Sequence, residues 1–294
     1  MFLYDNCVIS GNKGIAKAFA KVNLTLDVLG KREDGYHSLE TIMRAVNLYD
    51  TITICLNDTG VIKLTSDAEH IPTDQRNIAY KAARRYLNFA NSPKGMTIHI
   101  KKVIPSGAGM GGGSADGAAV LVLLNKLFND KVSPKDLLTI GANIGADVPF
   151  CMMCGTHVAT GIGEILSPVK VNDTIPILVV KPEVSISTPE MYKMIDNSYI
   201  INRPDTSEMI KALEKGDIYS VASKLCNVME PVAISVHKEI ETIKNKMLEN
   251  GALGAMMTGS GSAVFGIFET AKAAEECSKI FINDYKDVYS TELL

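Results

Sequence analysis

The chain has 294 residues, a net charge of −3 and six cysteines. That length can bury one large core or two moderate ones, and usual domain sizes favour two. A small net charge without a Lys/Arg run speaks against a nucleic-acid partner, no apolar stretch approaches the roughly 20 residues of a membrane span, and the scattered cysteines suit a reducing compartment.

Met1 to Ser10 lack a basic segment followed by an apolar one, so the expected location is cytoplasmic. From Ala18 to Val28 the pattern alternates. Ala20, Val22, Leu24, Leu26 and Val28 take one face, while Phe19, Lys21, Asn23, Thr25 and Asp27 take the other. A lysine and an asparagine thus share a face in mid-strand, where an ordinary exposed edge would scatter such residues. Asp34-Gly35 marks a turn. Further strands are predicted at Thr51–Leu56, Val61–Thr65 and Met96–Lys102, with a helix at about Asn77–Phe89.

Pro105, Ser106, Gly107, Ala108, Gly109, Met110, Gly111, Gly112, Gly113, Ser114, Ala115 and Asp116 form the most informative stretch. Its glycines leave the backbone N–H groups unshielded. Behind them Ala118, Ala119, Val122, Leu123 and Leu127 recur at helical spacing. The spacing predicts a loop feeding a helix whose first N–H groups are unpaired and whose dipole is positive there, a cradle for phosphate rather than a flexible linker. No Gly-Lys-Ser/Thr closes it, so it is not a Walker A loop. Gly107, Gly109 and Gly112 do spell G-x-G-x-x-G, but a dinucleotide fold then needs a second strand ending in an acid roughly 20 residues on. Here a second helix follows instead, with Ser133 as N-cap and Pro134 in its first turn. A nicotinamide cofactor is therefore disfavoured.

After Gly145 the run Gly-Ala-Asp-Val-Pro-Phe reads as a turn, and Val158–Val169 as β-rich. Cys151, Cys154 and His157 resemble half a zinc site, but no second cysteine pair supplies the remaining ligands, and the thiols read better as small buried hydrophobes. No protein metal site is expected. A strand at Ile175–Val180 stops at Pro182. Helices are predicted at Thr188–Ile195, Ser207–Leu213, Ile218–Leu225, Ser235–Leu248 and Ala271–Phe281, with strands at Leu253–Met257, Ala263–Phe268 and Asp287–Ser290. Strands and helices mix without βαβ regularity, so the fold class is α+β, divided into residues 1–168 and 169–294.

Ala20-Lys-Val-Asn-Leu, the glycine loop and Thr258-Gly-Ser-Gly-Ser, in this order and spacing, resemble the GHMP small-molecule kinases over essentially the whole chain beyond the lead-in. Gly30-Lys-Arg-Glu-Asp-Gly-Tyr-His-Ser-Leu and Gly145-Ala-Asp-Val-Pro-Phe look like the branch acting on a cytidine-diphosphate-linked methylerythritol in the non-mevalonate isoprenoid pathway. The resemblance implies an N-terminal ATP domain with a β-α-β feature, a C-terminal ferredoxin-like domain, and transfer of the ATP γ-phosphoryl group to the 2-hydroxyl of that small molecule. It implies Lys21 and Asp147 as the catalytic pair, residues 105–115 as the triphosphate loop with Asn77 and Lys102 also at the nucleotide, and Asn23, Tyr36, His37, Thr188, Tyr192 and Gly259 at the acceptor. ATP and Mg2+ are the implied cofactors, in a monomer or weak homodimer.

Phosphoryl transfer needs positioning and charge neutralisation more than covalent help. Ser114, read as the helix N-cap, can also reach a phosphate oxygen or a magnesium ion. Asp147 is either a turn aspartate or, beside Lys21, a carboxylate that accepts or orients the hydroxyl proton. Tyr36 is either a loop anchor or, with Tyr192, one of two rings around a pyrimidine whose polar edge His37 reads. The 258–262 segment is a hairpin loop or a diphosphate site. Homoserine or mevalonate phosphorylation keeps the fold and changes the acceptor, a nicotinamide oxidoreductase changes the class, and a nucleotide sensor removes the chemistry.

Overall fold

The computed structural model describes residues 6–294, so the first five residues of the lead-in lie outside the described residues. The chain forms two compact units. One comprises the chain up to Ala20 with Leu48–Ser106 and Gly111–Cys154; the other comprises Lys21–Asn47, Gly107–Met110 and Gly155–Leu294. This partition and the expected division at 168/169 differ over residues 21–47, 107–110 and 155–168.

In the first unit β1 (Cys7–Ser10) pairs antiparallel with the start of β2 (Lys13–Lys31). The second half of β3 (His37–Asn57) pairs antiparallel with β5 (Gly95–Lys101), and β4 (Ile62–Ser66) pairs parallel with β5. A parallel pair needs a crossover, and α1 (Ile78–Phe89) supplies it. Met96, Ile98 and Ile100 of β5 are buried while Thr97, His99 and Lys101 are exposed, the alternation of a one-sided strand. The core is built on α2 (Gly112–Leu127), buried without interruption from Ala115 to Asn125. It passes so close to β2 that a Cβ on Gly14 would stand 2.6 Å from Leu123. Ser133 caps α3 (Pro134–Ala142) by accepting the Asp136 N–H, with Pro134 in the first turn. Residues 145–150, read as a turn, instead lead into α4 (Val148–Met153), where Pro149 is tolerated because the first turn needs no N–H partner.

In the second unit β6 (Thr156–Thr160) pairs with β3 and with β7 (Ile165–Pro168). Strands β8 (Ile175–Lys181), β10 (Gly254–Met257), β11 (Val264–Ile267) and β12 (Asp287–Leu293) form an antiparallel sheet in the order β12-β8-β11-β10. Helices α5 (Thr188–Ile195), α6 (Thr206–Lys215), α7 (Ile218–Ser223), α8 (Glu230–Val236) and α9 (Lys238–Glu249) lie between its first two strands in sequence, with the short β9 (Cys226–Asn227) among them, and α10 (Ala271–Ser278) precedes the last. This is a ferredoxin-like connection. The helix expected over Ser235–Leu248 is two helices, broken where His237 takes an extended conformation (φ −126°, ψ 82°). The apolar core joins Leu178 and Val180 of β8 to Ile240, Ile243 and Met247 of α9 and to Phe268 and Phe281. Among the described residues no helix is long and apolar enough to cross a membrane.

Candidate active site

In the first unit the glycine loop is fastened where it leaves β5. Asp50, fully buried on β3, accepts the N–H groups of Val103 (2.6 Å) and Ile104 (2.9 Å) through Oδ1. Its Oδ2 accepts from the ammonium of Lys102, which also donates to Asp116 Oδ2 of α2 at 3.0 Å. One cation thus ties β3 and the start of the loop to the helix that the loop feeds. Burial lowers the Lys102 pKa, but the charges of Asp116 and Asp50 outweigh it and hold the ammonium above its usual range. Burial carries Asp116 well above the ordinary carboxylate range against the pull of Lys102, and its Oδ1 has no hydrogen-bond partner.

Gly111 is the N-cap of α2, with left-handed φ of 71° and no capping side chain. Ser114, expected as the N-cap, is instead the third helical residue, because a glycine takes the left-handed turn that serine resists. Its hydroxyl is therefore not spent on capping. Pro105, Ser106 and Gly112–Ala115 belong to the same unit, and Ser106 Oγ bonds His70 Nε2 at 2.9 Å. Asn77 caps α1, accepting from Ala79 N at 2.8 Å and donating to Pro72 O at 2.8 Å. The side chains of both Asn77 and Lys102 thus have structural work, which sequence spacing did not reveal. Asp147 precedes α4, half-buried and in a helical conformation, and its carboxylate does not cap that helix. Cys151 and Cys154 are buried beside it. The Cys154 thiol donates to Cys151 O at 3.4 Å, and burial pushes it up to about 12. Among the described residues no group of three or more His, Cys, Asp or Glu could hold a metal ion.

In the second unit two glycine segments meet. Ala263 N donates to Ala108 O at 3.2 Å, and a Cβ on Gly109 would stand 2.1 Å from the Thr258 carbonyl oxygen. A Cβ on Gly259 would reach to 2.7 Å of Gly109 O. The 258–262 turn is closed by Thr258 N donating to Ala263 O and Gly261 N donating to Thr258 O. Asn227, buried, donates to Met257 O and Gly259 O, both at 2.9 Å, and Glu230 accepts from Met257 N at 2.7 Å. Neither residue was expected, and no local pattern signals them.

Lys21 is only 4% exposed; its N–H donates to Met110 O at 3.0 Å and its ammonium to Asn23 Oδ1 at 2.7 Å. The Asn23 amide nitrogen donates in turn to Thr41 Oγ1 at 2.7 Å, and the Asn23 N–H to Thr258 Oγ1 at 2.9 Å. Lys21 and Asn23 are therefore brought together, with the asparagine's polar atoms turned to protein partners.

His37 lies flat on Tyr192, and its Nε2 is 2.6 Å from Asp196 Oδ1, at the C-cap of α5. Lys31 holds the other Asp196 oxygen at 3.2 Å, and the bonds from His37 and then Lys31 keep this carboxyl below its usual range. Tyr36 is 60% exposed. The ring stacked on Tyr192 in this structure is His37. Thr188, four residues before Tyr192 and on the same helix face, meets Ser260 Oγ at 3.1 Å.

This fold and these motifs define a class. The GHMP kinases N terminal domain matches residues 77–155, and the GHMP kinases C terminal matches residues 209–287. A homoserine kinase from Cytophaga hutchinsonii shares the fold, with a TM-score of 0.74 at 20% identity over 99% of this chain and 98% of that one. A relative from Alkaliphilus oremlandii, named 4-diphosphocytidyl-2-C-methyl-D-erythritol kinase, is 47% identical over 282 residues, 94% of this chain and 95% of the relative. The crystal structure of a 4-(cytidine 5'-diphospho)-2C-methyl-D-erythritol kinase covers 95% of this chain and 98% of its own, with a TM-score of 0.79 and 31% identity. The chain belongs to this kinase family of the GHMP superfamily, whose members use ATP.

Proposed function

We propose that the chain transfers the γ-phosphoryl group of ATP to the 2-hydroxyl of 4-diphosphocytidyl-2-C-methyl-D-erythritol. The observation that carries this reading is the 47% identity, across 94% of the chain, to a relative of that name. Lys21 stabilises negative charge developing on the transferred group. Asp147 accepts the hydroxyl's hydrogen bond and takes its proton as the new O–P bond forms and the bond to ADP breaks. Residues 105–115 cradle the phosphates at the positive end of α2, through the N–H groups of all but Pro105, with Asn77 and Lys102 holding the segments that shape the nucleotide site. Magnesium fits the Ser114 hydroxyl, which does not cap α2: with no cluster of carboxylates for it among the described residues, Ser114 and nucleotide oxygens would hold the ion, which would neutralise phosphate charge.

At the acceptor, the His37–Tyr192 stack, flanked by Tyr36, receives the cytosine ring, while Asn23, Thr188 and Gly259 complete its surroundings. The enzyme works in the cytoplasm as a monomer or weak homodimer. An ADP-release assay over cytidine-linked methylerythritol, homoserine and mevalonate tests the substrate. Turnover confined to the first, with CMP or CDP competing against it, is expected; turnover of an acid acceptor and indifference to CMP would assign the chain a sister kinase's role.

A further inference from the structure

We infer that Thr41 is a positioning residue that fixes the polarity of Asn23 and, through it, the place of the Lys21 ammonium. The inference rests on the role proposed above for Lys21. Thr41 sits on β3, two strand positions from any residue the motifs single out, and nothing in its local sequence marks it.

A threonine hydroxyl carries one proton. In Thr41 that proton is given to the Thr25 carbonyl oxygen, which can only accept. The hydroxyl oxygen must therefore accept in its 2.7 Å contact with Asn23, so the Asn23 NH2 faces Thr41. Its carbonyl oxygen then faces Lys21, 2.7 Å from Nζ. Flipping the amide would set an NH2 group against an ammonium, donor to donor, and leave the asparagine oxygen against a hydroxyl with no proton to offer. The Asn23 N–H is held by Thr258 Oγ1, which also donates toward Asn23 Oδ1 at 3.5 Å, so the backbone stays in place and Thr41 is the partner of the asparagine NH2. Lys21, Asn23, Thr25, Thr41 and Thr258 are all buried, so bulk water does not offer replacement partners. A lysine held by a carbonyl oxygen of fixed direction keeps its ammonium in one place, which charge stabilisation in phosphoryl transfer requires.

Thr41→Val keeps the shape and removes the hydroxyl, while Thr41→Ser keeps the hydroxyl. For Thr41→Val we expect kcat to fall about 10- to 100-fold, the scale on which misplacing a catalytic group acts. The KM for ATP should stay nearly constant, and Thr41→Ser should restore most of the turnover. In the amide NMR spectrum the Asn23 NH2 pair should be protected from exchange in the wild type and Thr41→Ser and lose that protection in Thr41→Val. Lys21→Met, assayed alongside, separates the two readings. If Lys21→Met is inactive and folded Thr41→Val turns over normally, the positioning role is wrong and the Lys21 reading survives. If folded Lys21→Met keeps its activity, both fall. A Thr41→Val enzyme that loses kcat only in proportion to its melting temperature, without rescue by serine, would reduce Thr41 to a packing residue and overturn the inference.

Discussion

The imidazole of His37 and the phenol ring of Tyr192 are stacked with centroids 4.5 Å apart and planes within 9° of parallel. Because Asp196 holds the His37 Nε2 edge, the pair presents an ordered aromatic surface rather than two independent rings. Tyr192→Ala removes the support of that surface and should weaken acceptor binding by roughly 1–3 kcal/mol, the range for one base–aromatic stack. Tyr192→Phe should be nearly silent, and ATP binding should be unchanged in both. Calorimetry with the cytidine-linked acceptor checks this; equal losses in both variants would assign the work to the hydroxyl.

Gly109 and Gly113 belong to one motif but differ in what a side chain would meet. At Gly109 (φ +74°) a Cβ would collide with Thr258 O at 2.1 Å, whereas at Gly113, inside α2, it would meet only Ile78 Cδ1 at 3.4 Å. Gly109→Ala should lower the melting temperature, since left-handed strain alone costs about 1–3 kcal/mol and the clash adds to it. Gly113→Ala should melt like the wild type or slightly higher, because alanine favours the helix. Thermal denaturation of the two variants decides the matter, and equal melting would contradict the close approach.

Asp147 does not cap α4 with its side chain. Asp147→Asn should lower kcat about 10²- to 10⁴-fold, the range for losing a positioned base, because asparagine keeps the shape and turn propensity of aspartate and removes its charge. Lys21→Met should give a comparable loss, and the double variant should fall well short of the product if both act as one unit. Steady-state kinetics beside circular dichroism test this. Near-normal turnover in folded Asp147→Asn would remove the carboxylate from the mechanism.

Lys102 is the cation between two buried carboxylates. Lys102→Met should cost about 3–5 kcal/mol at neutral pH, as removing one partner from a buried ion pair does. Asp116 is raised above 3.8 by burial, so the folded state keeps its proton more tightly than the unfolded chain. Its contribution to stability is thus full below 3.8 and is lost as pH rises through the raised value. The deficit of Lys102→Met should accordingly shrink as pH falls from about 8 to 4, and Asp116→Asn should abolish that slope. Denaturant titrations over this range provide the measurement; a deficit independent of pH would mean that Asp116 stays ionised.

Local chemistry carried a large part of the fold. Ser133 and Pro134 announce α3, because capping groups act within a turn of the chain. The alternation in β5 named its buried face, and the glycines of 107–113 marked the loop between β5 and α2, since left-handed backbone at Gly107, Gly109 and Gly111 leaves few other residue types possible. Lys21 and Asn23 were legible as sharing a face. That this face is buried was not, because alternation says which residues point together and not whether another layer covers them. The same limit hid the first half of β3, where both faces are largely buried and no clean alternation remains. What Thr41, Asp50, Asp196 and Asn227 do was decided only in three dimensions. Asp50 meets Val103 and Asn227 meets Met257 across long stretches of chain. A single polar residue whose partner is distant leaves no periodicity or spacing to read, so its role exists only once the strands are paired and the water is gone.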